Sequence, residues 1–425
     1  MSSKALHTGE TMVDSQPEAV TTRQPGHAAG AAASGLNRLR AAQWLRAAHG
    51  LWVPLLSFGI TRLGIALVAY VAAPLMVDSS VPPYHMRPEQ ALLDVFGSRW
   101  DTGFYLRIAD QGYQYEGMRL PSVAFFPLLP LLIRGLTPLV GDALWAGLII
   151  ANLALLGATM LLHRLVEEEW GPGVASRAVW YLLIFPTAFF GSAIYSESLF
   201  LLGAIGALYL ARKGAWESAA VLGALTALTR FVGILVAPML LAEWWAQRQR
   251  RASQARPRLA GVLAPAVVLA GTGAYMLYLQ RAFGGPLAFV HAAAAWDRVP
   301  RSPLMTMAEL LQRPAEGWGA AVMAARLPLD NWIDMSMAVL FVGLGSVLLA
   351  QRRWSEGLFV TWGALIPLSS GLLMSQRRYV WVLFPAFILL ARWGQRPWLD
   401  RLITTLSLMG LALFTAMFAN WYWVG

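Results

Sequence analysis

The stretch RQRRASQARPR, residues 248–258, places five arginines between two apolar runs. Basic residues beside membrane spans collect on the cytoplasmic side, so we expect this segment in the cytoplasm. The chain around it is 57% hydrophobic and only 13% charged, with a mean hydropathy of +0.52, whereas soluble domains are about 45–50% apolar and about 25% charged. Apolar runs of about 20 residues, long enough to cross a bilayer as helix, recur along it. The sequence therefore predicts an all-α polytopic membrane protein.

Composition and motifs also exclude several kinds of functional site. The chain has no cysteine, which excludes a disulfide framework, a thiolate zinc site and an iron–sulfur cluster. The net charge of +10 is typical of cytoplasmic loops in a membrane protein and does not by itself indicate nucleic-acid binding. The glycine-rich pattern GxxxxGK[ST] does not occur in the sequence, so the use of a soluble nucleoside triphosphate is not supported.

Basic segments on either side of the apolar runs predict how the chain crosses the membrane. We expect residues 1–48 to be a disordered cytoplasmic tail and residues 49–425 to be a membrane domain with about 11 transmembrane helices. The C-terminus is then extracytoplasmic. Residues 211–217 are predicted to be cytoplasmic, and residues 216–246 to form a short hairpin with its vertex at TALTRFVG, which places Arg230 near the outer face. Two large extracytoplasmic loops are predicted at 77–142 and 283–332. Within the first, the proline-rich stretch AFFPLLPLLIRGLTPLV, residues 124–140, predicts a re-entrant or interfacial helix.

In this arrangement several polar side chains from separate segments fall on the extracytoplasmic side. They are Asp101, Glu197, Arg230, Arg377 and Arg378. The last two run against the usual distribution of basic residues, which indicates an anionic partner near the outer leaflet. A carboxylate at a membrane face can act as a general base toward a hydroxyl, and arginines can bind a phosphate leaving group. The pattern favours sugar transfer from a lipid phosphate to a hydroxyl.

Four sequence blocks carry a resemblance. They are RWDTGFYLRIADQGY with AFFPLLPLLIR, then FPTAFFGSAIYSESLFLLGA, then ALTRFVGILVAP, and finally QRRYVWVLFPAFILLA, between about residues 99 and 391. Together they resemble the PIG-V-type mannosyltransferases, relatives of the second mannosyltransferase of GPI-anchor assembly, which have the GT-C fold. The resemblance implies an inverting enzyme that takes mannose from a polyprenyl-phosphate donor on the extracytoplasmic face and passes it to a glycolipid, glycan or protein acceptor.

The resemblance also implies roles for individual residues. Asp101 of RWD is the candidate base, and Glu197 of YSES is a second acid that positions the acceptor or shares that role. Arg230 and either Arg377 or Arg378 are candidates for the donor phosphate. Further candidates for substrate contacts are Trp100, Tyr105, Asp110, Tyr195 and Tyr379, with Asn152 a weaker one.

One feature departs from the pattern of many GT-C enzymes, which carry paired acids in the first outer loop. Here Thr102 and Gly103 follow Asp101, so a second acid must come from elsewhere, and Asp110 and Glu197 are the options. Without a local acid pair the case for a divalent metal is weak, because such an ion needs one or two carboxylates with the phosphate oxygens. We expect no metal and no cofactor.

Two alternatives stay open at the level of sequence. Asp101 precedes a short helical pattern and could serve as its N-cap, with or without a catalytic role. The whole chain could also be a transporter or flippase of lipid-linked sugars that uses the same arginines for recognition only. Transporters place ionisable groups at the bilayer midplane, whereas the middles of most predicted spans are uncharged here, which favours the interfacial enzyme.

Overall fold

The computed structural model describes residues 26–76, 95–250, 259–310 and 329–425, which contain helices and turns and no strand. The chain divides into two compact units, residues 1–49 and residues 50–425. The helices of the described ranges are α1 (Gly26–Leu75), α2 (Thr102–Gln111), α3 (Leu128–Val140), α4 (Ala143–Trp170), α5 (Pro172–Ile184), α6 (Glu197–Arg212), α7 (Trp216–Ala227), α8 (Val236–Arg250), α9 (Leu259–Phe283), α10 (Ala288–Ala292), α11 (Pro303–Leu310), α12 (Leu329–Ala350), α13 (Trp354–Leu368), α14 (Gln376–Tyr379), α15 (Phe384–Trp393) and α16 (Pro397–Ala419).

Short 3-10 turns lie between some of these helices, at Ser122–Ala124, Ala188–Gly191, Phe231–Leu235, Ala293–Trp296 and Val380–Val382. The third of them replaces helix at the predicted vertex between α7 and α8. The hairpin expected there over residues 216–246 is therefore present, with Arg230 at its tip.

Five helical segments of the described residues are long and apolar enough to cross a membrane: Gly50–Leu75, Ala143–Trp170, Leu259–Phe283, Leu329–Ala350 and Pro397–Ala419. Their outward faces carry large apolar side chains, such as Ile60 and Leu63 of α1, which are 61% and 74% exposed. Continuous exposed apolar surface of this kind fits contact with lipid. These segments support a multi-pass membrane protein, while the number of 11 spans and the sidedness stay predictions.

Helix α3 lies within the stretch for which we predicted a broken helix. It has 13 residues, begins after Pro127 and contains Pro138. At a rise of about 1.5 Å per residue it is about 20 Å long, shorter than a hydrocarbon core of about 30 Å. Its length therefore suits a re-entrant or interfacial position, which stays a prediction.

The N-terminal segment differs from expectation. Helix α1 begins at Gly26, so residues 26–48 are helical where we predicted a disordered tail. The segment is rich in alanine, leucine and arginine, which have high helix propensity. Residues 1–25 of that tail lie outside the described residues, as do residues 77–94 and 311–328 of the two predicted outer loops.

Helix α6 lies at the centre of the packing. It contacts α4 on one side and α7 on the other, and α7 in turn packs against α9. Small residues permit these close approaches: a Cβ added to Gly271 of α9 would lie 2.5 Å from the backbone oxygen of Ala224 in α7. Such small-residue contacts are typical of helices that associate within membranes.

The two ends of α6 carry separate charged clusters. Glu197 at its first turn pairs with Arg230 and Arg378. Arg212 at its last turn pairs with Glu169 and Glu356. Because α6 has 16 residues, the two clusters are about 22 Å apart along its axis. That Glu197 and the Arg212 segment lie on opposite sides of the membrane stays a prediction.

Candidate active site

Asp101 lies in a tight turn that leads into α2. The preceding residue, Trp100, has a φ of 54°, a left-handed conformation that is uncommon for a bulky side chain. Tyr195 holds this turn, because its hydroxyl donates to the Arg99 carbonyl over 3.1 Å and accepts the Asp101 N–H over 3.2 Å. The turn therefore fixes the position of the Asp101 backbone relative to the start of α6.

The geometry also shows whether the Asp101 side chain caps α2. Asp101 occupies the N-cap position of α2, but its side chain makes no capping hydrogen bond. Its Oδ2 instead accepts a hydrogen bond from Arg378 Nη1 over 2.7 Å. In the part of the chain that is described, no donor reaches Asp101 Oδ1, and the side chain is 21% exposed. One carboxylate oxygen is thus held by Arg378, and the other accepts no hydrogen bond from the described residues.

Arg378 also contacts the second acid. Its Nε donates to Glu197 Oε1, and Arg230 Nη2 lies 3.0 Å from the same oxygen. Glu197 is fully buried, so it cannot meet an acceptor hydroxyl without a rearrangement. Its position suits the orientation of the two arginines, whereas the Asp101 side chain is partly exposed.

The cluster formed by Asp101, Glu197, Arg230 and Arg378 has polar atoms that can make further hydrogen bonds. Among the described residues, Arg230 Nη1 and Glu197 Oε2 are buried and have no hydrogen-bond partner. Buried polar atoms without partners cost stability, on the order of 1–3 kcal/mol each, and such atoms concentrate at functional sites. Arg230 Nη1 is therefore a donor without an acceptor, and a ligand that reaches it must displace neighbouring side chains, as at Glu197.

Aromatic rings surround the Arg378 guanidinium. Its Cζ lies 4.5 Å from the ring centre of Tyr195 and 4.9 Å from that of Phe190, distances that suit cation–π contacts. Burial works to lower the pKa of Arg378, but the Glu197 and Asp101 carboxylates outweigh burial and raise that pKa above its usual value. Arg378 therefore remains charged at every physiological pH.

Further aromatic side chains pack along α2. The Tyr105 hydroxyl donates to Ser196 Oγ over 3.2 Å, which ties α2 to the residue before Glu197. Phe104 stacks on Phe125 and meets Trp296 edge-on, with ring centres 4.5 and 5.7 Å apart. The turn Ala293–Trp296 thus comes close to the helix that begins at Asp101.

Other predicted residues lie elsewhere. Arg377 bonds Asp334 through Nε over 2.9 Å and Asp330 through Nη2 over 3.0 Å, so its charge is already paired with α12. Asp110 is exposed at the far end of α2. Trp100 is buried, with its ring against Trp421 and Trp423. Asn152 donates to the carbonyls of Leu148 and Ser192 over 2.9 and 3.3 Å. The structure therefore shows that Arg378, and not Arg377, contacts Asp101 and Glu197, a choice that the sequence left open.

Tyr379 does lie beside the cluster. The Arg230 guanidinium carbon is 5.5 Å from its ring centre. On the same ring lies Arg298, at 5.6 Å, which also donates from Nη2 to the Tyr379 hydroxyl over 3.0 Å. Sequence reasoning missed Arg298 and Trp296, because both fall in the predicted loop 283–332 and in none of the four recognised blocks. The one available signal was an aromatic residue and an arginine two positions apart in a predicted extracytoplasmic loop.

An apolar cavity of about 380 Å³ opens at the other end of α2. Its walls include Tyr113, Pro127, Pro130 and Tyr275. Arg134 borders it and donates from Nε to the Ala109 carbonyl over 2.6 Å. Because Ile108 of α2 lines it, the cavity begins about 10 Å along the helix axis from Asp101.

Comparison with known proteins gives a family for part of the chain. Residues 69–248 match a family model described as Mannosyltransferase (PIG-V). Curated proteins named GPI mannosyltransferase 2, from two strains of Cryptococcus neoformans var. neoformans serotype D, are 26% identical over 158 residues. This alignment covers 36% of the present chain and 34% of each relative, so the chain matches about a third of the length of these relatives.

Solved structures also show similarity. The apo oligosaccharyltransferase of Archaeoglobus fulgidus is 14% identical, with 88% of this chain and 56% of that one covered and a TM-score of 0.45. ArnT from Cupriavidus metallidurans, bound to undecaprenyl phosphate, is 12% identical, with coverage of 86% and 76% and a TM-score of 0.45.

The matched family segment holds Asp101, Glu197 and Arg230, three of the four charged residues that meet in the cluster. The resemblance to the PIG-V mannosyltransferases is thus confirmed over residues 69–248.

Proposed function

We propose that this protein is an integral-membrane glycosyltransferase that moves a hexose, mannose by resemblance, from a polyprenyl-phosphate donor to a hydroxyl acceptor on the extracytoplasmic face. The observation that carries the proposal is the state of Asp101. One oxygen is held by Arg378, and the other is unoccupied in the described part of the chain and is partly exposed. This arrangement suits a general base whose orientation is fixed before the substrate arrives.

The proposed reaction is a single displacement. The acceptor oxygen attacks the anomeric carbon of the mannosyl phosphodiester while its proton passes to Asp101 Oδ1. The bond between that carbon and the phosphate oxygen breaks, and the bonding pair leaves with the polyprenyl phosphate. Attack from the face opposite the phosphate inverts the anomeric configuration.

Charge on the leaving phosphate needs stabilisation. Arg230 supplies a buried Nη1 that has no partner among the described residues, and Glu197 fixes the orientation of its guanidinium through Nη2. Guanidinium groups held in advance can stabilise developing phosphate charge without reorganisation. We therefore propose a reaction that uses arginine and needs neither a metal nor a cofactor. The apolar cavity at the far end of α2 offers room for part of a lipid chain.

The experiment is an assay of transfer in proteoliposomes that carry purified protein, a radiolabelled mannosyl-phosphate polyprenol and a membrane extract as the source of acceptor. The proposal predicts label in a new glycoconjugate and release of polyprenyl phosphate in equal amounts. Movement of the intact labelled lipid between leaflets, with no new product, would contradict it and would favour the transporter or flippase.

A further inference from the structure

Arg298 is an arginine that pairs with no acid among the described residues. Its Nη1 donates to Ser370 Oγ over 2.8 Å, and its Nη2 donates to the Tyr379 hydroxyl over 3.0 Å. A longer contact of 3.5 Å joins Nη2 to the Met374 carbonyl. All three partners are neutral, and no carboxylate of the described residues forms an ion pair with Arg298. Within the described ranges, the side chain is thus held in place by neutral groups that do not compensate its charge.

The position of Arg298 is next to the proposed site. Its guanidinium and that of Arg230 both lie against the ring of Tyr379, at 5.6 and 5.5 Å from the ring centre. Trp296, two residues earlier, lies against Phe104, one turn after Asp101. The segment that carries Arg298 therefore borders the cluster.

The charges of the cluster indicate which ligand fits. Asp101 and Glu197 balance Arg378 and Arg230, so these four groups are neutral together. Arg298 then adds one positive charge. A sugar phosphodiester carries one negative charge and two free acceptor oxygens, which match one surplus arginine and the unpartnered Nη1 of Arg230.

We propose that Arg298 binds the phosphodiester of the donor together with Arg230, and that Tyr379 keeps the two guanidinium groups apart and oriented. The inference rests on the proposed function, because it takes the donor to be a lipid-linked sugar phosphodiester. Arg298 then selects this donor by charge, since a neutral sugar lipid would leave its guanidinium unpaired.

The test is donor binding by purified full-length protein in lipid nanodiscs. The probe is a labelled mannosyl-phosphate polyprenol, and soluble mannose 1-phosphate serves as the second arm, which separates a lipid-borne phosphate from a free one. We expect Arg298→Gln to raise the donor Kd by about tenfold or more, and Arg298→Lys to restore part of the affinity because it keeps the charge. Binding of the wild type to the lipid probe should exceed binding to the soluble one.

Arg301→Gln is the matched control. Arg301 lies three residues further along the same segment, but its guanidinium pairs with Glu309. We expect this variant to bind the donor like the wild type. Tyr379→Phe removes the hydroxyl that orients Arg298 and should raise the donor KM while leaving kcat nearly unchanged. A purely structural role for Arg298 would lower the thermal stability of Arg298→Gln without this separation of KM from kcat.

The outcomes separate the two proposals. Equal donor affinity of wild type and a folded Arg298→Gln would overturn the inference, as would an equal loss in Arg301→Gln or tighter binding of the soluble probe. If the wild type binds the lipid probe and transfers no sugar to any acceptor, the proposed function fails, while the affinity ratio still decides the role of Arg298. If the wild type binds neither probe, both proposals fall.

Discussion

Arg378 joins Asp101 to Glu197: its Nη1 donates to Asp101 Oδ2 over 2.7 Å and its Nε donates to Glu197 Oε1. The first contact links residues 277 positions apart and the second links residues 181 positions apart. A single guanidinium thus connects the turn before α2, the start of α6 and the short helix α14. This connection makes the position of the candidate base dependent on the correct packing of the whole domain.

We predict that Arg378→Lys lowers transfer by about 100-fold, because an ammonium cannot donate to two carboxylates with the geometry of the guanidinium fork. The measurement is kcat of purified protein at saturating donor. Arg377→Lys is the matched control, since Arg377 pairs with Asp334 and Asp330 instead. It should lower thermal stability while the turnover per folded molecule stays close to wild type. Equal loss of turnover in both variants would argue against a special role for Arg378.

Replacement of Glu197 should mainly affect stability. Glu197→Gln leaves two buried arginines with one carboxylate fewer, and loss of one partner from a buried ion pair costs about 3–5 kcal/mol. Thermal unfolding in detergent would show a clear decrease in Tm. Glu168→Gln, which removes an exposed partner of Lys213, should cost less than about 1 kcal/mol. The same decrease in both variants would show that Glu197 is not a structural centre of the cluster.

Helix packing gives a prediction that is independent of function. Gly271 and Gly273 lie in the same helix, but a Cβ at the first would come within 2.5 Å of the Ala224 backbone oxygen and a Cβ at the second would meet nothing within 4 Å. Gly271→Ala should therefore destabilise the protein by about 1–3 kcal/mol. Gly273→Ala should be neutral or stabilising by up to about 1 kcal/mol, because alanine favours helix. Thermal unfolding of the pair measures the difference, and a stable Gly271→Ala would contradict the close approach of α7 and α9.

Sidedness can be measured directly because the chain has no cysteine. Single substitutions Glu116→Cys and Gln395→Cys introduce one thiol each at exposed positions. We predict that a membrane-impermeant maleimide applied to intact cells or spheroplasts labels the first and reaches the second only after permeabilisation. The unchanged chain provides the unlabelled control. If Gln395→Cys is labelled in intact cells and Glu116→Cys is not, the orientation is opposite to the predicted one. Labelling of both variants would contradict the predicted threading.

The sequence predicted the helical class, the hairpin around Arg230 and the placement of Glu197 at an end of α6, because apolar periodicity and loop charge are local signals. It also identified the acids and arginines that meet in the cluster. It could not separate Arg378 from Arg377, because adjacent residues in a short helix point in different directions that only packing determines. Glu197 was ambiguous for a related reason, since its pairing with Arg230 and Arg378 depends on the packing of segments distant in sequence.

Arg298 shows a further limit of sequence reasoning. Its partners Ser370 and Tyr379 lie 72 and 81 positions later, so no local pattern connects them. The helical state of residues 26–48 illustrates the opposite error, because low hydrophobicity indicated disorder while alanine-rich composition favoured helix. The deciding information was long-range contact for Arg298 and local helix propensity for residues 26–48.

The most direct test of the account compares Asp101→Asn with Glu116→Gln in a single-turnover transfer assay, with donor affinity measured on the same preparations. Asparagine keeps the shape of the side chain and an oxygen for Arg378, but it cannot accept the proton of the acceptor hydroxyl. We predict that Asp101→Asn lowers the transfer rate by about 10²–10⁴-fold while the donor Kd stays near that of wild type. Glu116→Gln, which changes an exposed acid of the same segment, should transfer normally. Transfer by Asp101→Asn at the wild-type rate would contradict the assignment of Asp101 as the base.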